Sequence, residues 1–191
     1  MRPRFAVFIA TSLDGFIARP DGSIDWLDEA NTRVPEGEDC GYAAFMDSVD
    51  ALLMGRKTYE TVLTFGDWPY DHQSVYVLSD QLTSLAEGVP DTVRLIRGDI
   101  PNVVSELRDR GHRKVYVDGG KTIQSLLAAG IVDEITITRI PVLLGAGRSL
   151  FGELPGDLAL KHVSTRSYSF GFVQSTYQVQ AGFSQDTRSS A

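Results

Sequence analysis

Cysteine is almost missing from this chain of 191 residues: Cys40 stands alone, so no intrachain disulfide can form. That fits a reducing compartment, and with no histidine in sequence reach Cys40 is a poor nucleophile. Histidine is scarce as well, and His72, His112 and His162 are scattered without metal-ligand spacing, so no metal site is expected. No apolar run approaches the roughly 20 residues of a transmembrane helix. The run Phe5 to Ala10 is too short for a secretory core, which leaves a cytoplasmic protein with no membrane contact as the expectation. Positive charge is in deficit, 18 Lys and Arg against 25 Asp and Glu for a net charge of −7. That excludes a general affinity for nucleic acid, which needs a basic stripe.

What remains is an ordinary globular composition, 42% hydrophobic and 23% charged, enough for one well-filled core. A single domain is expected over 1–181, with a polar, disordered tail over 182–191. Against the acidic background, two turns collect glycine, hydroxyl and positive charge. The first closes Ala51-Leu52-Leu53-Met54 with Gly55-Arg56-Lys57-Thr58. The second closes Val115-Tyr116-Val117-Asp118 with Gly119-Gly120-Lys121-Thr122, ahead of the helical pattern Ile123 to Leu127. In each, an apolar strand delivers glycine to a helix start, where free N–H groups and the positive dipole end face an anion. One such turn suits a single phosphate; two in one small domain suit a ligand with several, such as a dinucleotide. The second turn is not a P-loop, because Val115 stands where that motif needs glycine. Gly145-Ala146-Gly147 lacks the third glycine of the dinucleotide fingerprint and reads as a loop.

Apolar runs predict strands at Phe5–Thr11, Ala51–Met54, Ser74–Leu78, Val93–Ile96 and Lys114–Val117. Helices are predicted at Tyr42–Ser48, after Gly55, at Pro101–Arg110 and after Gly120, the third with proline in its first turn and Gly111 behind it. Ser12 to Trp26, rich in Gly, Asp, Pro and Ser, reads as a long loop. The segment Ile131–Ile140 reads as a strand, and Leu158–Tyr168 with Phe172–Val179 as a hairpin. The fold class is therefore α/β, with a mostly parallel central sheet and a C-terminal antiparallel hairpin. The edge strand of that hairpin could pair with a second copy, which leaves a homodimer open without requiring one.

Five landmarks in order carry a resemblance: Ser12 to Ala18, Leu53 to Thr58, Leu78-Ser79, Val117 to Gly120, and Pro141 to Phe151. Running from Ala6 to about Tyr177, they resemble the dihydrofolate reductase superfamily. The likeness is greatest to the reductase domain of bifunctional riboflavin-biosynthesis deaminase-reductases and its stand-alone relatives. The resemblance implies a three-layer α/β/α domain that uses NADPH to reduce a C=N bond of a small heterocycle, as in 5-amino-6-(5-phosphoribosylamino)uracil reduction. It assigns Gly55, Arg56, Lys57 and Thr58 to the adenosine 2′-phosphate and pyrophosphate. Leu78 and Ser79 fall to the adenine ribose and adenine, and Gly119, Gly120, Lys121 and Thr122 to the pyrophosphate and nicotinamide side. Ala10 and Ile17 would line the nicotinamide pocket. The charge chemistry of Arg56 and Lys57 independently suits a phosphate monoester.

Two carboxylates are candidate proton donors, Asp25 in the first long loop and Asp118 in place of the family's usual third glycine. Trp26, which aligns with an active-site-loop tryptophan, and Thr138 are candidate substrate contacts. A true dihydrofolate reductase would need a buried carboxylate near Gly41, and Glu38 and Asp39 are the nearest. A non-catalytic NADP(H)-binding protein on the same fold is the third reading, and it predicts binding without turnover.

Overall fold

Continuous apolar runs become strands covered on both faces. In the structure, a computed structural model that describes residues 1–70 and 72–184, the chain runs β1 (Arg4–Ser12), β2 (Phe16–Ala18), α1 (Asp25–Asn31), α2 (Tyr42–Asp47), β3 (Ala51–Gly55) and α3 (Arg56–Val62). It continues as β4 (Ser74–Leu78), β5 (Val93–Ile96), α4 (Ile100–Asp109), β6 (Lys114–Asp118), α5 (Gly120–Ala128) and β7 (Glu134–Ile140). The last strands are β8 (Arg148–Ser149), β9 (Asp157–Ser167) and β10 (Val173–Ser184). Eight of them form one sheet in the order β5-β4-β3-β6-β1-β7-β10-β9. The first six are parallel, and β10 pairs antiparallel with both β7 and β9.

The period-2 alternation of side chains sorts the core into two layers. Ala51, Leu53, Val115 and Val117 face α4 and α5 through Val103, Leu107, Ile123 and Leu126. Leu52, Met54, Val75 and Val77 face the other way, against Phe45 of α2 and Tyr59 and Val62 of α3. Helices thus cover both faces, and the sheet is the middle layer of three. Helix α4 is capped by Asp99, whose carboxylate accepts the Asn102 N–H at 3.0 Å, with Pro101 in its first turn as expected of such starts.

Two segments expected as loops carry structure. Within Ser12 to Trp26, β2 pairs antiparallel with β8, Phe16 opposite Ser149 and Ala18 opposite Arg148. The glycine-rich stretch before β8 permits this, because any side chain at Gly147 would strike the Ala18 carbonyl and the Phe16 ring. Helix α1 starts at Asp25 and buries Trp26 and Ala30, one turn apart, against Ile140, Tyr168 and Phe172. The hairpin also outlasts its expected end. Phe183 and Ser184 pair with Leu158 and Asp157, so β10 crosses the expected domain boundary at 181. The rest of the expected tail lies outside the described residues. Among the described residues, no helix is long and apolar enough to cross a membrane, and no three His, Cys, Asp or Glu side chains gather into a metal-holding group.

At the N-terminal ends of the parallel strands, the His112 ring nitrogen Nε2 meets the Tyr76 hydroxyl at 2.8 Å. Its Nδ1 lies 3.5 Å from Asp50, which also accepts the Arg113 and Lys114 N–H groups. Desolvation pulls the His112 imidazole below its ordinary 6.5. The unfolded chain therefore binds this proton first, and the stability tied to neutral His112 is complete above about pH 6.5 and lost as pH falls below it. Urea unfolding of wild type and His112→Gln between pH 8 and 5 is expected to show a wild-type advantage that shrinks as pH drops. A constant difference would contradict this.

Candidate functional site

Strands β3 and β6 are neighbours with Met54 opposite Asp118, so the two glycine turns that leave them sit side by side. Gly55 precedes α3 at φ −83° and ψ 165°, and Gly119 precedes α5 at φ 91° and ψ 131°; neither helix has a side-chain cap. Their first-turn N–H groups therefore lack a side-chain capping partner. The turns also interlock. A Cβ on Gly55 would lie 2.7 Å from the Thr122 hydroxyl oxygen, and one on Gly119 would overlap the Thr58 hydroxyl. A Cβ on Gly120 would come within 2.6 Å of the Ile17 side chain. Each glycine is thus the space into which a side chain of the opposing segment fits.

A cleft of about 1280 Å³ opens over these turns along the C-terminal ends of the parallel strands. All twelve residues assigned to the cofactor by resemblance line it: Ala10, Ile17, Gly55, Arg56, Lys57, Thr58, Leu78, Ser79, Gly119, Gly120, Lys121 and Thr122. At the β4–β5 end, the Ser79 hydroxyl accepts the Gln81 and Leu82 N–H groups, both at 3.1 Å. The carboxylates of Asp80 and Asp99 there are committed to the Gly98 and Asn102 N–H groups. Arg56 is half-buried and bonds Glu60 one turn on at 2.6 Å, while Lys57 and Lys121 are exposed. Arg148, which sequence reasoning placed only within a landmark, also lines the cleft. It donates to the Asp21 carbonyl at 3.0 Å and lies against Gly22.

Asp118 ends β6 in the cleft wall. Its carboxylate accepts the Gly119 N–H at 2.7 Å, yet burial pushes it up to about 6 from an ordinary 3.8. Tyr70 lines the cleft with it, and the Asp118 charge is felt by the phenols of Tyr42, Tyr70 and Tyr116. No sequence signal announces this cluster: its residues come from α2, the segment before β4, and β6, and only the fold unites them.

The other candidates lie elsewhere. Asp25 is outside the cleft lining, in an ion pair with Arg19 at 2.6 Å. That bond holds its carboxyl below the usual range, the opposite of what a proton donor at neutral pH requires. Trp26 is 3% exposed in the α1 core, with its indole N–H unpartnered among the described residues. Thr138 is buried in β7 and accepts the Gln174 amide at 2.9 Å. The carboxylates near Gly41 serve their own loop. Glu38 accepts the Cys40 N–H at 2.7 Å and pairs with Arg166, and Asp39 accepts the Gly41 and Ala43 N–H groups, each at 2.8 Å.

The RibD C-terminal domain family model matches residues 3–173. An uncharacterized protein of Bacillus subtilis strain 168, YwjB, is 34% identical over 171 residues, 88% of this chain and 94% of its own length. Among solved structures, a Shewanella sp. PV-4 protein with a provisional riboflavin-biosynthesis name superimposes at a TM-score of 0.87. It is 41% identical over 93% of this chain and 99% of its own. A dihydrofolate reductase from Enterococcus faecalis, complexed with NADP(H) and RAB-propyl, superimposes at 0.62 with 17% identity, over 94% of this chain and 99% of that one. The three-layer fold is thus dihydrofolate-reductase-like, as the landmarks implied.

Proposed function

The chain belongs to the RibD C-terminal domain family, and from that premise we propose that it is an NADPH-dependent reductase acting on a C=N bond of a small heterocycle. The observation that carries the reading is the pair of uncapped, interlocked glycine turns opening on one cleft lined by Arg56, Lys57 and Lys121. Backbone N–H groups of α5 and the Gly55 turn suit a pyrophosphate. The Arg56 guanidinium and the Lys57 ammonium suit a terminal phosphate monoester, the group that distinguishes NADPH from NADH. When bound, the nicotinamide supplies hydride chemistry that no side chain can.

What the chain itself contributes is placement and a proton. Ala10 and Ile17 give an apolar wall that keeps water from the reacting face. Asp118, half in its acid form near pH 6, gives its proton to the nitrogen of the reduced bond, a role for which a carboxyl needs a raised pKa. Asp25 is not needed for this. A dihydrofolate reductase activity is disfavoured by the loop duties of Glu38 and Asp39, and a purely binding role by the carboxyl poised in the cleft. The homodimer of this reading would pair through β9, the exposed edge strand.

NADPH and NADH binding, followed by tryptophan fluorescence quenching, tests the reading. NADPH is expected to bind at least about tenfold more tightly than NADH, and Arg56→Ala with Lys57→Ala to weaken NADPH by about 10–100-fold with NADH little changed. Turnover is then assayed first on 5-amino-6-(5-phosphoribosylamino)uracil and second on dihydrofolate. Failure of both nucleotides to bind would sink the reductase reading; NADPH binding with neither substrate turned over would favour the binding-only alternative.

A further inference from the structure

Side chains alternate across a strand, so Asp118 shares the sheet face of Tyr116, and Ala10 that of Phe8. Helices α2 and α3 cover that face, and α1 joins them where Leu27 and Ala10 pack on one cluster. Helix α5, which carries Lys121, packs on the opposite face. The part of the cleft on the Asp118 face therefore draws its walls from α1 and from the end of α3. Ile24 and Leu27 come from the first, and Val62, Phe65 and Tyr70 from the second and the segment after it. Phe65 is 55% exposed, and Ile24 and Leu27 are only half-buried. An open aromatic ring with aliphatic neighbours in a cleft is surface that a flat, uncharged ring buries well.

Positive charge is kept away from this part. The cleft's cations are Arg56, Lys57, Lys121 and Arg148, and the first three stand at the starts of α3 and α5. Arg56 lies about 15 Å from Phe65, counted along α3 and the short 3₁₀ turn Leu63–Phe65. Arg148 is held by the Asp21 carbonyl at 3.0 Å. Arg19, the cation preceding α1, is held by Asp25 at 2.6 Å. Helix α1 adds Asp25 and Asp28 in its first turn and no basic residue in its last. An anion here would meet the Asp118 carboxyl with no counter-charge, and burying an unpaired anion costs far more than burying a neutral ring.

We propose that the Asp118 end of the cleft takes a flat heterocycle that carries neither a phosphate nor a carboxylate, an inference that rests on the reductase reading above. The ring lies against Phe65, and the terminal anion of a phosphoribosyl or glutamyl substituent has no cation to meet.

Titration calorimetry on protein saturated with NADP⁺ tests this with two matched pairs of probes. One pair is 5-amino-6-(5-phosphoribosylamino)uracil and its dephosphorylated form. The other is dihydrofolate and 6-methyl-7,8-dihydropterin, which lacks the glutamate carboxylates. In whichever pair binds, the neutral member is expected to bind at least about tenfold more tightly. Phe65→Lys places a cation on this wall while its stem still covers apolar surface. It is expected to strengthen the phosphorylated probe by at least about fivefold relative to its neutral form. Equal or tighter binding of the charged member of either pair overturns the assignment, as does failure of both neutral members to bind. Both results leave the reductase reading standing. No relative gain in Phe65→Lys also overturns it, because charge would then not set the preference. If NADP⁺ itself does not bind, the reductase reading falls and the assignment falls with it.

Discussion

Asp118→Asn is expected to make the protein more stable at pH 8 and, at the same time, a far poorer catalyst. The carboxyl is raised from 3.8 to about 6 by burial, so the folded state holds this proton over a range where the unfolded chain has released it. Stability linked to Asp118 is therefore complete below about pH 3.8 and is lost as pH rises through about 6. At 1.36 kcal/mol per unit the rise converts to a penalty of about 3 kcal/mol above pH 7, and partial access to cleft water brings it to about 1–3 kcal/mol. Asparagine keeps the oxygen that accepts the Gly119 N–H and carries no charge to desolvate. Denaturant unfolding should show the variant ahead at pH 8 and level with wild type near pH 4. Turnover should fall by about 10²–10⁴-fold, the usual contribution of a general acid. Equal stability of the two proteins at pH 8 would show that the carboxyl is not held in a costly setting, and would remove the physical ground for giving it the proton.

This trade between stability and chemistry was only half visible in the sequence. Asp118 was legible as a position because an apolar strand ends there at a glycine pair, and the same logic located β3, β4, β5 and β6, whose buried runs leave little choice of structure. The two glycine turns were legible for the same reason. That they interlock through Thr58 and Thr122 was not, since nothing in either segment specifies its partner across the sheet. The β2–β8 ribbon escaped because strands of three and two residues have no period to read, and α1 because its seven residues are too few to show a helical period. Trp26 and Asp25 share the start of one helix. Their resemblance to active-site positions is one of order along the chain, but the helix they begin turns the indole into the core and leaves the carboxylate to Arg19.

The interlock itself yields the second large effect. Gly119→Ala meets two separate obstacles, because φ is 91° there and the new Cβ would overlap the Thr58 hydroxyl. Gly55→Ala meets one, since its φ of −83° suits any residue and only the approach to the Thr122 hydroxyl at 2.7 Å is in the way. Overpacking costs about 1–3 kcal/mol and a forced positive φ a further 1–3 kcal/mol or so. Gly119→Ala is therefore expected to destabilise by about 2–6 kcal/mol and Gly55→Ala by about 1–3 kcal/mol. Adding Thr58→Ala to Gly119→Ala should recover the collision and leave the backbone strain, bringing the double variant close to the cost of the strain alone. Both single variants should weaken NADPH, because moving either turn displaces the N–H groups that face the cleft. If Gly119→Ala proves no more costly than Gly55→Ala, the backbone at Gly119 is free to relax, and the turn is not the rigid phosphate cradle on which the cofactor assignment depends.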